Sequence, residues 1–88
     1  MTELRGAIVT AASRGIGFAT AAALLRDGHH VLITARKEEP LRVAAERLSE
    51  LGPVVAVPGH VGDPEHRRAA IARAVEEFGR LDVLVNNA

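Results

Sequence analysis

An α/β fold built on a parallel sheet is what this chain predicts, on three observations. Short apolar runs alternate with longer helical stripes, and the links between them are brief. A glycine-rich turn, Thr10-Ala11-Ala12-Ser13-Arg14-Gly15-Ile16-Gly17, joins the first apolar run to an alanine-rich helix. The order strand, turn, helix, strand, helix, strand, helix, strand is the sequence form of a sheet wrapped by right-handed crossovers.

The first strand is expected at about Ala7 to Thr10. The first helix should run from about Gly15 to Asp27, ending where Gly28 can take a left-handed cap conformation. Ile16, Ala19, Ala22, Ala23 and Leu25 recur at helical spacing and are read as its inner face. Val31 to Ala35 is the second strand, apolar except for Thr34, as expected where both faces of a sheet are covered. A second helix spans about Glu39 to Leu51, with Pro40 near its first turn and Leu41, Ala44, Leu48 and Leu51 on one stripe. Gly52-Pro53 stops it. The third strand, Val54 to Val57, breaks at Pro58-Gly59. Asp63 then caps a third helix with Pro64 at its first position, and Ile71, Ala74, Val75 and Phe78 form its buried stripe. Gly79 closes that helix, and Leu81 to Val85 is the fourth strand.

The turn after strand one is suited to a phosphate. Gly15 and Gly17 lack a Cβ, so a ligand can approach the main chain, and the helix that follows offers unpaired N–H groups and the positive end of its dipole. A Gly-x-Gly after a strand also fits a plain tight turn, and by itself does not choose between the two.

Composition narrows the classes. With 88 residues the chain is one domain at most. A chain of this size buries only roughly 60 to 65% of the surface its unfolded form exposes, so marginal stability is expected. Hydrophobic residues at 48% and charged residues at 25% mark ordinary globular material. Eleven basic and eleven acidic residues cancel and are scattered, which argues against a nucleic-acid partner. There is no cysteine, hence no disulfide framework and no thiolate nucleophile, which suits a reducing cytoplasm. No apolar run approaches the roughly 20 residues of a membrane helix, so no membrane partner is expected. His29, His30 and His66 have no metal-ligand spacing and are read as surface residues, so no metal is expected.

With Asn86-Asn87-Ala88 added, the eight-residue turn resembles that of the short-chain dehydrogenase/reductase family, whose pattern is Thr-Gly-x-x-x-Gly-x-Gly followed later by Asn-Asn-Ala-Gly. The resemblance covers essentially the whole chain, which matches only the N-terminal third or so of a typical member. It implies a truncated Rossmann-type parallel sheet of order 3-2-1-4 with three helices, residues 1–88 being the N-terminal part of an NAD(P)-binding domain. It also implies an oxidoreductase that interconverts carbonyl and alcohol groups on a small molecule, cytoplasmic and homo-oligomeric in its full-length form. Carried over residue by residue, it places cofactor binding at Thr10, Ala12, Ser13, Arg14, Gly15, Ile16, Gly17, Arg36, His60, Val61, Asn87 and Ala88.

A dinucleotide site separates its two cofactors at the end of strand two, where a carboxylate holds a ribose 2′-OH or a basic group meets a 2′-phosphate. Ala35 stands at the acid's usual place, Arg36 follows it, and Arg14 lies in the turn, so two guanidinium groups can converge on one phosphate. The reading is NADP(H); the plainer alternative is two solvated surface arginines. The missing acid also disfavours nucleotide-fold methyltransferases, which usually end strand two with one.

Two departures from the family pattern stand out. Ala11 occupies the place of the first glycine, where its methyl group restricts the turn. His60 replaces an Asp that would bind the adenine amino group; a neutral imidazole still offers one donor or one acceptor. Both departures are shared by the branch of NADPH-dependent carbonyl and retinal reductases related to dehydrogenase/reductase member 4. Bacterial 3-oxoacyl-carrier-protein reductases are the nearest competing assignment.

In this family a tyrosine donates the proton, tuned by a lysine four positions later, with a serine and a further asparagine nearby. This chain has no tyrosine, and Lys37, Ser13 and Ser49 are not placed for those roles. No catalytic residue is therefore assigned, and the expectation is a cofactor-binding piece without catalysis, inactive by itself. Its fourth strand would lack a neighbour on one side, which predicts association or partial disorder of the isolated piece. A stand-alone, non-catalytic nucleotide- or partner-binding module is the reading from a different class.

Overall fold

The computed structural model describes residues 5–87. Seven elements alternate without exception: β1 (Arg5–Val9), α1 (Gly15–Arg26), β2 (His29–Ala35), α2 (Glu38–Leu48), β3 (Val54–Pro58), α3 (Pro64–Phe78) and β4 (Val83–Val85). The four strands form one sheet in the order β3-β2-β1-β4, every pair parallel. The expected order is the observed one.

Strand alternation sorts the sheet residues onto two faces. Ala7, Val9, Val31, Ile33 and Ala35 face α1 and α2, meeting Ala21, Ala22 and Leu25 of the first helix and Leu41, Ala44 and Leu48 of the second. Ile8 and Leu32 face α3, meeting Ala70, Ala74 and Phe78. Both faces of β1 and β2 are thus covered, which is why these strands are near-continuous apolar runs.

Several faces differ from the sequence expectation. In α1 the buried residues are Gly17, Ala21, Ala22 and Leu25; Ile16 is 76% exposed, and Ala19 and Ala23 also face solvent. In α3 the buried stripe is Ala70, Ala74 and Phe78, four residues apart, while Ile71 and Val75 are 43% and 45% exposed. Helix α2 ends at Leu48, leaving Leu51 outside it and exposed.

Strand β2 starts two residues early because His29 and His30 pair in register with Arg5 and Gly6. The surface assignment of the histidines is corrected accordingly. His29 is only 5% exposed, His30 is half-buried with its ring edge-on to Phe78 at 5.5 Å, and His66 is half-buried against β2.

The N-terminal end of the sheet is tied by charge. Asp82 accepts from the Gly6 amide at 3.0 Å and from Arg80. The Arg80 guanidinium, helped by that amide, holds the Asp82 carboxyl below its ordinary range. Among the described residues no helix is long and apolar enough to cross a membrane.

Candidate functional site

Helices α1 and α2 both start without a capping side chain, on Arg14 and Lys37, but α2 carries Glu38 and Glu39 in its first turn and α1 carries no acid there, so α1 is the start left open to an anion. Helix α3 starts on Asp63, whose carboxylate accepts from the Glu65 amide at 3.0 Å, with Pro64 next and the left-handed Gly79 at its far end. That is a closed start. Helix α1 starts on Arg14, with extended backbone, no capping side chain and no acid in its first turn. The amides of Gly15, Ile16 and Gly17 have no acceptor among the described residues. Unpaired first-turn donors and the positive dipole end make an anion site.

The turn before α1 is held by neighbours on both sides. The Thr10 amide donates to the Val85 carbonyl at 3.0 Å and the Ala12 amide to the Thr34 carbonyl at 3.1 Å. The buried Thr10 hydroxyl accepts from the Asn87 amide at 2.8 Å and reaches the Val85 carbonyl and Asn86 Oδ1. Thr10 and Ala12 therefore shape the turn from within. Ala11 adopts φ +52° and Gly15 φ +64°, both in the left-handed region. Gly17 has a different constraint: a Cβ there would collide with the Ala11 carbonyl oxygen and lie 2.8 Å from Asn87 Nδ2. Only glycine lets the helix pass so close to the turn.

A cleft of about 420 Å³ opens beside this turn, at the carboxyl ends of β1, β2 and β3. Ser13 and Arg14 line it from the turn, Thr34 to Lys37 from the end of β2, and Gly59 and Val61 from the loop after β3. Arg14, Arg36 and Lys37 are exposed, and their side chains have no hydrogen bond or ion pair among the described residues. Elsewhere arginines are mostly engaged: Arg42 with Glu39 and Glu46, Arg68 with Glu65, Arg73 with Glu77. Among the described residues no carboxylate lines the cleft. Unpaired positive charge is gathered where the free amides are.

The expected residues thus divide. Ser13, Arg14, Arg36 and Val61 line the cleft, and Gly15 and Gly17 open the helix beside it. Ile16 is on the exposed first turn, and Asn87 stands against Gly17. His60 is exposed and is not among the residues that line the cleft; its Nδ1 accepts from the Gly62 amide at 2.8 Å, so the neutral ring carries its proton on Nε2 as a donor. Ala88 lies outside the described residues. Lys37, Thr34, Pro40 and Gly59 were missed from the sequence. Lys37 was the findable one, directly after Arg36 at a strand end. Among the described residues no cluster of three acidic or histidine side chains could hold a metal.

Comparison with known proteins agrees with this geometry. A family model described as short chain dehydrogenase matches residues 5–88. The human dehydrogenase/reductase SDR family member 2, mitochondrial, is 44% identical over 85 residues, covering 96% of this chain and 30% of that protein. Human SDR family member 4 is 42% identical over 83 residues, covering 93% and 30%. Among solved structures, an actinorhodin polyketide ketoreductase variant with NADPH superposes with a TM-score of 0.91 at 37% identity, covering 97% of this chain and 33% of that one. L-sorbose reductase from Gluconobacter frateurii, complexed with NADPH and L-sorbose, gives 0.90 at 35% identity, covering 98% and 34%. This chain spans about 30% of the length of the curated relatives it matches. A sheet of this order, an open helix start at its glycine turn and a family match from residue 5 onward agree: the chain belongs to the short-chain dehydrogenase/reductase family.

Proposed function

We propose that the chain is the N-terminal, cofactor-holding part of an NADP(H)-dependent oxidoreductase that interconverts carbonyl and alcohol groups of a small molecule. One observation carries the reading: the unpaired side chains of Arg14, Arg36 and Lys37 line a single cleft, and the turn that lines it with them leads directly into the uncapped amides of Gly15–Gly17. The amides fit a diphosphate, and the arginines fit a terminal phosphate such as the 2′-phosphate of NADP(H). Ala35 supplies no acid to hold an unmodified ribose hydroxyl or to repel that phosphate. Two solved relatives are described with NADPH, which supports the same cofactor here. Gly59 and Val61 would border the adenine end, and the Nε2–H of His60, between them in the chain, would be the donor offered to a ring nitrogen in place of the amino group. The bound cofactor would supply the hydride; this chain's residues bind and orient it.

The proton donor of the family's reaction is a tyrosine, which this chain lacks, so the chemistry belongs to residues of a longer protein. That protein would be a homo-oligomer in the cytoplasm. The relative named as mitochondrial offers the competing location, and imaging a C-terminally tagged full-length protein decides between them.

A fluorescence titration with NADPH and NADH tests the cofactor. Each charge-assisted hydrogen bond to a phosphate contributes roughly 1.5 to 3 kcal/mol, so two of them set a preference of about a hundredfold or more for NADPH. Arg36→Asp should abolish that preference and leave NADH binding in place. An unchanged preference, or no saturable NADPH binding by the native chain, overturns the reading.

A further inference from the structure

The loop from Gly59 to Asp63 carries the residues assigned to the adenine end, yet its own main-chain bonds are few. The Gly59 amide donates to the Ala35 carbonyl at 3.0 Å, and the Asp63 amide donates to the His60 carbonyl at 3.0 Å. Between those points the His60 ring accepts from the Gly62 amide at 2.8 Å, and the remaining ties are side chains from the first turns of α3. Arg67 donates to the Val61 carbonyl at 3.0 Å. His66 lies beneath Gly59, so close that a Cβ on that glycine would overlap its ring, and its Nε2 shares a 3.1 Å hydrogen bond with the Thr34 hydroxyl of β2.

Thr34 is 2% exposed and precedes Ala35 and Arg36, the end of β2 where the 2′-phosphate would be read. A threonine hydroxyl both donates and accepts, so the bond survives either tautomer of the ring. A half-buried imidazole held by a buried hydroxyl has lost its rotamer freedom, and it passes that order to the glycine above it.

We propose that His66 is a positioning residue for the cofactor: its bond to Thr34 locks the β3–α3 loop against the end of β2 and so fixes the adenine-side wall of the cleft. This rests on the nucleotide-binding reading, but the latch has a readout of its own. It acts on the adenine base, which NADPH and NADH share, and not on the 2′-phosphate that separates them, so its loss weakens both equally, unlike loss of Arg36.

The test uses the full chain and four variants: His66→Ala, Thr34→Val, the double variant and His66→Gln, whose amide can replace the ring Nε2. Binding of NADPH and NADH is measured by calorimetry well below the melting transition. One hydrogen bond's worth of preorganisation predicts about tenfold weaker binding of both nucleotides to His66→Ala and to Thr34→Val. The double variant should lose no more than either single one, because both remove the same bond. His66→Gln should recover most of the affinity. A merely structural histidine would lower the melting temperature and leave these affinities within twofold, which overturns the proposal, as would additive losses in the double variant.

Amide hydrogen exchange in the nucleotide-free chain separates the two layers. His66→Ala and Thr34→Val should speed exchange at Gly62 and Asp63 by about tenfold while the amides of β1 stay protected. Unchanged loop exchange overturns the latch even where nucleotide binds. Absence of nucleotide binding by the native chain with faster loop exchange in the variants overturns the cofactor reading and, with it, the role of His66 in binding, leaving the latch itself standing. Should His66→Ala not fold, Thr34→Val, which keeps the ring under Gly59, carries both measurements.

Discussion

Ala11 holds a left-handed φ of +52°, a region that a residue with a Cβ enters at a cost of roughly 1 to 2 kcal/mol. Its carbonyl faces the bare Cα of Gly17, so the turn cannot relax by moving toward the helix. Ala11→Gly should therefore stabilise the chain by up to about 1 kcal/mol, the gain being trimmed by the extra freedom of glycine when unfolded. For a chain of this size that is a rise of up to roughly 4 to 8 °C in the thermal midpoint, readable by circular dichroism. The sequence shows that an alanine stands here, but a backbone angle set by the contact with Gly17 appears only in three dimensions. Asp82 supplies a pH prediction. Its carboxyl is lowered chiefly by Arg80 and further by the Gly6 amide, so the folded state binds its proton less readily than the unfolded chain does. The stability it contributes is fully present above the unfolded value of about 3.9 and is lost as pH falls through the lower folded value. Asp82→Asn should flatten that acid limb of a stability-versus-pH curve; an unchanged slope would reject the assignment.

At the level of elements, the helices show what periodicity can and cannot decide. In α1 nearly every position is small or apolar, so several faces satisfy the helical spacing equally. The face is chosen instead by Gly17, the residue that must touch the turn, and Ala21, Ala22 and Leu25 follow from it. In α3 the expected stripe contained Ala74 and Phe78 but preferred the larger Ile71 and Val75 to Ala70. Size misled there, because the helix lies close to Ile8 and Leu32, where an alanine fits. The true stripe ends in Phe78, the only large side chain that α3 buries on the sheet, which also meets the His30 ring. Phe78→Ala should cost about 3 kcal/mol or more in denaturant unfolding. That is a large share of the roughly 5 to 15 kcal/mol available to a small domain. His29 was the other miss: it is expected at the surface from the sequence, yet register with Arg5 draws it into the sheet.

Across the whole molecule, charge is sorted. Acid–base pairs line the outer faces of α2 and α3, while among the described residues the cleft keeps three cations and no carboxylate, in a chain whose formal charge is zero. Under the proposed function, NADPH binding should weaken on raising salt from about 0.01 M to 0.1 M, as the screening length falls from roughly 30 to 10 Å. NADH, lacking the extra phosphate, should weaken less; equal salt slopes would count against Arg14 and Arg36 as its readers. The parallel topology was legible because the strand and helix signals alternate without interruption, and the strand order came with the family resemblance. The cleft's lining was half legible, since Arg14 and Arg36 stand in motifs, while Thr34 and Gly59 join it only through folding. One tie has a consequence for how the protein is made. Thr10 and Asn87 are 77 positions apart, and β4 reaches β1 across a similar span. A chain emerging from the ribosome can assemble β1 with β2 early, but the glycine turn acquires its clasp only after Asn87 has left the exit tunnel. Until then a nascent polypeptide would display a loosely shaped turn, and its capacity to grip anions would mature only once β4 and Asn87 are in place.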